Sequence, residues 1–369
     1  MISRSPRLRF LALYYSAVSV WIATSAMHIP DGYLSPLSSL IMFALVLPFW
    51  AIGVRRIRAT MNARSVPLIA LLAAFSFVVM MFNVPLPGGT TAHAVGASLA
   101  AILLGPETAT IAVSIALVIQ AVFFGDGGIL ALGANSFNMA VVVPYLAAAV
   151  YRVFSKGTPI NSPRRLIGSA LGGWLGLTLA ALFAGIEFGL QPLLFKAADG
   201  SPLYAPYPLA IAVPAMVVPH ALTASVVEGL LTALILGYLQ RSNPGLIEAG
   251  VGTAHPAPEA SWGSLRWLWI GLLVLIVASP LGLLAPGTAW GEWGTQQLRE
   301  RGLATIPAGL EQLSGLWGAP LAGYRLRSLG NASLGYILSA VLGILVIAIV
   351  VWLFSLLLTR ESDSSSQTK

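Results

Sequence analysis

The chain contains four histidines, His28, His93, His220 and His255, and no cysteine. Thiolate metal sites, disulfides and cysteine nucleophiles are therefore excluded, and any imidazole chemistry falls to these four side chains. His28 has the most suggestive setting. Before it come Arg4, Arg7 and Arg9, an apolar run from Phe10 to Ile22, and Ala23-Thr24-Ser25-Ala26. That order reads as a secretory leader with small residues at −3 and −1. The other reading is an uncleaved first membrane helix, although the run is short for the roughly 20 residues a span needs. Cleavage after Ala26 would leave Met27-His28 as a free terminus. Its amine, the amide nitrogen of His28 and Nδ1 of His28 then close fused five- and six-membered chelate rings in one plane. A planar nitrogen set suits Ni(II) or Cu(II), and low-spin Co(II), but not Mg or Ca. Pro30 fixes its own φ and stiffens the exit from the chelate, and Asp31-Gly32 permits a turn.

Three nitrogens leave one corner of the plane open. His93 is the candidate, in Pro87-Gly88-Gly89-Thr90-Thr91-Ala92-His93 at the start of an apolar run. Thr90 and Thr91 could cap a helix or hold the imidazoles. The alternative is a packed or pore-facing histidine without metal. A second polar cluster runs through Phe124-Gly125-Asp126-Gly127-Gly128 and Gly133-Ala134-Asn135-Ser136-Phe137-Asn138-Met139. Asn135 and Asn138 share a helix face and would either orient the His pair or the first loop, or tie helices together. His220 and Glu228 are ionisable groups in an apolar stretch and so functional candidates, with packing or partner docking as the plainer role. Glu187 is expected near the outer interface, and His255 lies in a Pro/Ala-rich linker.

The elements that must position these groups are membrane helices. Of 369 residues, 57% are hydrophobic and 9% charged, with a mean hydropathy of +0.84. Soluble domains carry about 25% charged residues. The expected fold is all-α, a polytopic membrane helix bundle of about seven spans plus two C-terminal spans after a cleaved signal peptide. Apolar runs place the spans near 35–54, 66–83, 92–105, 107–124, 132–153, 166–188, 207–240, 265–285 and 333–358. Gly168, Gly172, Gly173 and Gly176 stand at a spacing that should face a packed neighbour. The expected domains are a signal peptide (1–26), a capture domain (27–241), a linker (242–264) and a two-span module with an outer loop (265–369).

Loop charges orient this count. With Met27 outside, the clusters Arg55/Arg56/Arg58/Arg64 and Arg152/Lys156/Arg164/Arg165, and then Arg241, Arg266 and Arg360, all fall on the cytoplasmic side. Segment 286–332 is basic and outside, but its length weakens the rule. The expected location is the cell (inner) membrane, multi-pass, with the mature N-terminus on the outer face. The net charge of +7 sits in loops between spans and is no sign of nucleic acid binding.

Met27-His28-Ile29-Pro30-Asp31-Gly32, the Gly-Thr-Thr-Ala-His93 loop, Ala100-Ala101-Ile102-Leu103-Leu104-Gly105-Pro106, Phe124-Gly125-Asp126-Gly127-Gly128, the Asn135-Ser136-Phe137-Asn138 run and Glu228-Gly229 together resemble the substrate-capture membrane subunit of energy-coupling-factor nickel/cobalt transporters. The resemblance covers about 27–241. It implies a metal held by Met27, His28 and His93, with nickel or cobalt as transported substrate and no organic cofactor. It also implies partners in the lipid membrane: a transmembrane coupling subunit and cytoplasmic ATPases. The 26-residue leader is a departure, since many members begin at the Met-His pair. Residues 265–358, with Ser279-Pro280-Leu281-Gly282 and Trp290-Gly291-Glu292-Trp293, more loosely resemble the two-span accessory component of these systems, which implies a helper role in metal loading, with the outer segment 286–332 reaching toward the capture site.

No Gly-x-x-x-x-Gly-Lys-Ser/Thr is present, so ATP hydrolysis by a P-loop in this chain is excluded. The absence of His-Glu-x-x-His and Gly-x-Ser-x-Gly argues against an intramembrane enzyme. A cation channel or secondary metal transporter remains the alternative, weakened by how few ionisable groups lie in the spans. The residues do not separate nickel from cobalt.

Overall fold

The computed structural model describes residues 28–60, 66–86, 90–248, 262–284, 292–300, 302–303, 305–326 and 329–366. The leader, Met27, the centre of the linker with His255, and the side chains of Thr90 and Thr91 lie outside the described residues.

The apolar runs form helices, as their composition requires. In chain order these are α1 (Pro36–Thr60), α2 (Val66–Met80), α3 (Ala97–Leu104), α4 (Pro106–Phe124), α5 (Leu132–Ser155), α6 (Pro163–Leu194), α7 (Leu209–Ser242), α8 (Trp262–Ala278), α9 (Thr295–Glu300), α10 (Ala308–Leu313) and α11 (Ala332–Ser366). Helix α8 continues into a 3₁₀ turn, Ser279–Leu284. Seven segments among the described residues are long and apolar enough to cross a membrane: α1, α4, α5, α6, α7, α8 with its 3₁₀ turn, and α11. The chain is a polytopic helical membrane protein. A short hairpin, β1 (Val84–Leu86) against β2 (Thr90–Ala92), joins α2 to the segment holding His93.

Two elements depart from uniform spans. Residues 92–105 read as one apolar run, but only Ala97–Leu104 is helical. At 1.5 Å per residue that is about 12 Å, well short of a hydrocarbon core of about 30 Å. The helix starts late because His93–Gly96 is unwound, with Gly96 in the left-handed region (φ 73°), and it stops at Gly105 (φ 81°) before Pro106. Unwound backbone at this depth requires protein partners for its amides. The second departure is π-helical winding at Gln120–Phe124, Ser136–Val142 and His220–Ala224. Such bulges gather at functional sites because they turn side chains off the regular helical faces.

The glycine row on α6 does what its spacing demands. A Cβ on Gly172 would lie 2.8 Å from the Ala147 carbonyl oxygen of α5, and one on Gly176 would lie 3.0 Å from that of Val143. On the other side, Gly173 faces the Cα of Gly229 in α7. Helix α6 is thus the post against which α5 and α7 close. Helix α2 is enveloped almost completely, with Phe77, Val78 and Met80 fully buried, whereas α1 turns Leu37, Leu40 and Leu45 outward. In a membrane protein such outward leucines face lipid.

The C-terminal module packs onto α2 through α8 and α11. A Cβ on Gly343 would run into the Phe77 ring, and one on Gly282 into the Met81 carbonyl. Tyr336 donates to that same carbonyl at 2.9 Å. The segment between α8 and α11 then lies across the end of the body that carries His28. The amide of Gly309 donates to the Leu203 carbonyl at 2.9 Å, and that of Leu321 to the Phe123 carbonyl at 2.9 Å. Trp317 Nε1 donates to the Val122 carbonyl at 2.8 Å, and Tyr33 donates its hydroxyl to the Trp293 carbonyl at 2.8 Å.

Candidate metal centre

His28 and His93 meet. Nδ1 of His28 lies 3.0 Å from Nε2 of His93, with ring centroids 4.8 Å apart, and both side chains are buried. The residues are 65 positions apart and reach the site by unrelated routes. His28 comes on an extended arm, His28–Gly32. Asn135 clamps the arm's backbone: its Oδ1 accepts from the Ile29 amide at 2.8 Å and its Nδ2 donates to the Ile29 carbonyl at 3.1 Å. The Gly128 amide donates to the same carbonyl at 2.9 Å. The Asp31 carboxylate accepts from the amides of Ile129 and Leu130 at 3.0 and 2.8 Å, with Ala131 farther off at 3.4 Å. Burial lifts the Asp31 carboxyl above its ordinary range, and these backbone donors pull the other way. Gly127 and Gly128 are required here: a Cβ on Gly128 would overlap Asp31, and Gly127 sits at φ 86° with Asn135 Nδ2 2.9 Å from where its Cβ would be.

His93 is fixed from inside the bundle. The Glu228 carboxylate of α7, fully buried, accepts from the amides of Val95, Gly96 and Ser98 at 2.9, 2.7 and 3.0 Å. It supplies the partners that unwound backbone next to His93 must have, and caps α3 at the same time. Glu228 is therefore a positioning residue, a sharper role than packing or docking. Nδ1 of His93 lies 3.1 Å from the Ala94 carbonyl, which fixes Nδ1 as the donor and leaves Nε2 as a lone pair aimed at His28. The hydrogen bond between the rings is then donated by Nδ1 of His28, and Nε2 of His28 is buried with no partner.

The other polar candidates sort themselves. Asn138 donates to Glu187 at 2.9 Å, tying α5 to α6 away from the rings. His220 is buried with Nδ1 against the Met216 carbonyl at 2.8 Å, in the π turn.

Three further groups reach the site, none of which sequence spacing could link to His28. Asp126 Oδ1 lies 3.3 Å from His28 Nδ1, and its Oδ2 accepts from the Tyr324 hydroxyl at 2.6 Å. Tyr324 stacks on Phe124 at 4.7 Å. Among the described residues it is the one non-glycine at positive φ, 59°. Glu292 accepts a hydrogen bond from the backbone amide of His28, and its Oε1 is buried without a partner. Burial and then the neighbouring Asp126 carboxylate push its carboxyl well up, opposed by that amide. Ligand atoms of His28, Asp126 and Glu292 lie within 4.8 Å of one another. Glu292 and Tyr324 belong to the C-terminal module, more than 260 residues beyond His28 and invisible to any local pattern. Asp126 lay in plain view within its glycine-rich motif.

Comparison with known proteins decides the family. Residues 28–246 match the cobalt uptake substrate-specific transmembrane region family. The chain belongs to this family. Residues 265–360 match the PDGLE domain, so the resemblance to a capture subunit fused to an accessory part is borne out. The fused nickel transport protein NikMN of Rhodobacter capsulatus is 51% identical over 335 residues, 87% of this chain and 95% of that protein. A cobalt transport protein CbiM from Geobacter sulfurreducens is 32% identical over 268 residues, 69% of this chain and 72% of its own length. A crystal structure of a truncated transition metal transporter superposes with a TM-score of 0.54 at 48% identity, covering 57% of this chain and 97% of that one.

Proposed function

We propose that this chain captures nickel or cobalt at the outer face of the cell membrane and delivers it inward as the substrate-binding member of an energy-coupling-factor uptake system. The chain belongs to a family of transport proteins and is not an enzyme. A transmembrane coupling subunit and cytoplasmic ATPases are the partners this role requires. In this reading the leader is removed after Ala26, residues 27–241 form the capture domain, 242–264 the linker and 265–369 the accessory module. The amine of Met27, the amide nitrogen and Nδ1 of His28, and Nε2 of His93 hold the ion.

The observation that carries the reading is the approach of two buried imidazole nitrogens to 3.0 Å. In the chelate, the fourth corner is cis to Nδ1 of His28. With metal–nitrogen bonds of about 2.0 Å, cis corners of a square plane lie about 2.8 Å apart. The ring pair is therefore already near the separation a planar ion needs, with the cation taking the place of the shared proton. The arm holds the plane open: Asn135 occupies the polar groups of Ile29 and leaves the His28 amide free of other backbone.

Uptake of nickel or cobalt in cells should vanish in His28→Ala and in His93→Ala while the protein still inserts in the membrane. Retained uptake in both variants refutes the site. Adding one residue before Met27 should do similar harm, because it displaces His28 from second position.

A further inference from the structure

We propose that Glu292 is a transfer ligand for the incoming metal ion: with Asp126 it takes the ion first, as a mainly oxygen-ligated cation, and hands it to the nitrogen plane built on His28. The proposal rests on the reading above and assigns the accessory module a chemical part in it. A hydrated divalent ion arrives bound to oxygen, whereas the planar nitrogen set demands that it shed nearly all its water. A pair of carboxylates beside the final site divides that dehydration into two smaller steps.

Three observations point to this arrangement. First, the oxygens of Asp126 and Glu292 and a ring nitrogen of His28 lie within 4.8 Å of one another, a span one ion can bridge. Second, Oε1 of Glu292 is buried with no hydrogen-bond partner, as is Nε2 of the His28 ring, a side chain 2% exposed. Polar atoms left open in this way are rare in a packed interior. Third, a cavity of about 150 Å³ opens onto Glu292 between the two modules, lined by Asp31, Tyr33, Gly128, Trp293 and Trp317 among others. It gives open space beside the His28 arm that meets the carboxylates of Glu292 and Asp31. Tyr324, at φ 59° and stacked on Phe124, holds Asp126 Oδ2 and leaves Oδ1 turned to His28. Glu292 also sits on the amide of His28, the group an arriving ion must engage, so the carboxylate is placed where the ion leaves it.

A transfer ligand lowers the barrier in both directions and leaves the end state unchanged. The test uses the full-length processed protein in detergent, nickel(II) alone as probe, and stopped-flow absorbance of the planar site, with release timed by a chelator chase. Glu292→Gln should slow loading by tenfold or more and slow release by a similar factor, with Kd within about twofold of the parent. Glu292→Asp, which keeps the carboxylate, should recover part of the loading rate, and a shared melting temperature shows that all three proteins are folded. An unchanged loading rate in Glu292→Gln overturns the proposal. So does a faster release with weakened Kd, which would mark a resident ligand. If the parent protein binds no nickel, or His28→Ala binds it as well as the parent, the failure belongs to the metal site itself.

Discussion

The two imidazoles are positioned by opposite strategies. The His28 arm is an edge, gripped by side chains and by the glycine-rich loop 125–128, and roofed by a segment from another module. The His93 arm is an interior break, held by one buried carboxylate that satisfies three backbone amides. The edge is assembled from several places: loops, Asn135 of α5, and the roof, which Tyr33 and Gly32 also touch and where a Cβ on Gly32 would meet the Leu310 carbonyl oxygen at 2.7 Å. The interior break depends on one buried residue, Glu228. The difference teaches that one ring is a wall set by a single interior anchor and the other a jaw set by many contacts at the edge. Glu292 and Tyr324 are found on the jaw side.

Glu228→Ala should break the comparison most severely. It leaves three buried amide donors without partners, at about 1–3 kcal/mol each, so folded yield in detergent should collapse; a melting temperature near the parent's would show that the break in α3 needs no anchor. Gly128→Ala comes next. The added methyl overlaps Asp31, so the arm must shift, and nickel affinity measured by calorimetry should fall by about tenfold or more with little change in melting temperature. Asn135→Ala removes two hydrogen bonds to Ile29, worth about 1 kcal/mol each. It should weaken nickel binding by about tenfold while leaving the His93 wall intact, and an effect on stability as large as that of Glu228→Ala would erase the distinction between jaw and wall. The mildest probe is pH. Chelation displaces the shared ring proton and the His28 amide proton, so affinity must fall as pH falls and rise as it rises; a pH-independent Kd between pH 6 and 8 would show that no proton leaves.

Much of this was legible beforehand. The helical membrane class follows from composition, because a chain with 9% charged residues cannot cover a water-soluble surface. The packing of α6 follows from glycines at fixed spacing, since a Cβ at Gly172, Gly173 or Gly176 would come within 3.0 Å of a neighbouring backbone. His28 and His93 stood out because so few groups in an apolar chain can do chemistry. The break at 92–105 did not show itself: hydropathy registers how apolar a run is, and it is blind to the Glu228 carboxylate that makes an unwound stretch tolerable. Nor could spacing place Glu292.

The order of elements and the identity of the two histidines are thus properties of the chain as written, since hydropathy and chelate geometry are local. The 3.0 Å approach of the rings, the anchoring of His93 by Glu228, and the arrival of Glu292 and Tyr324 at His28 were decided only when distant segments packed. The reason is physical: a buried polar group must find its partner wherever the fold brings one, and sequence separation has no bearing on which partner that is.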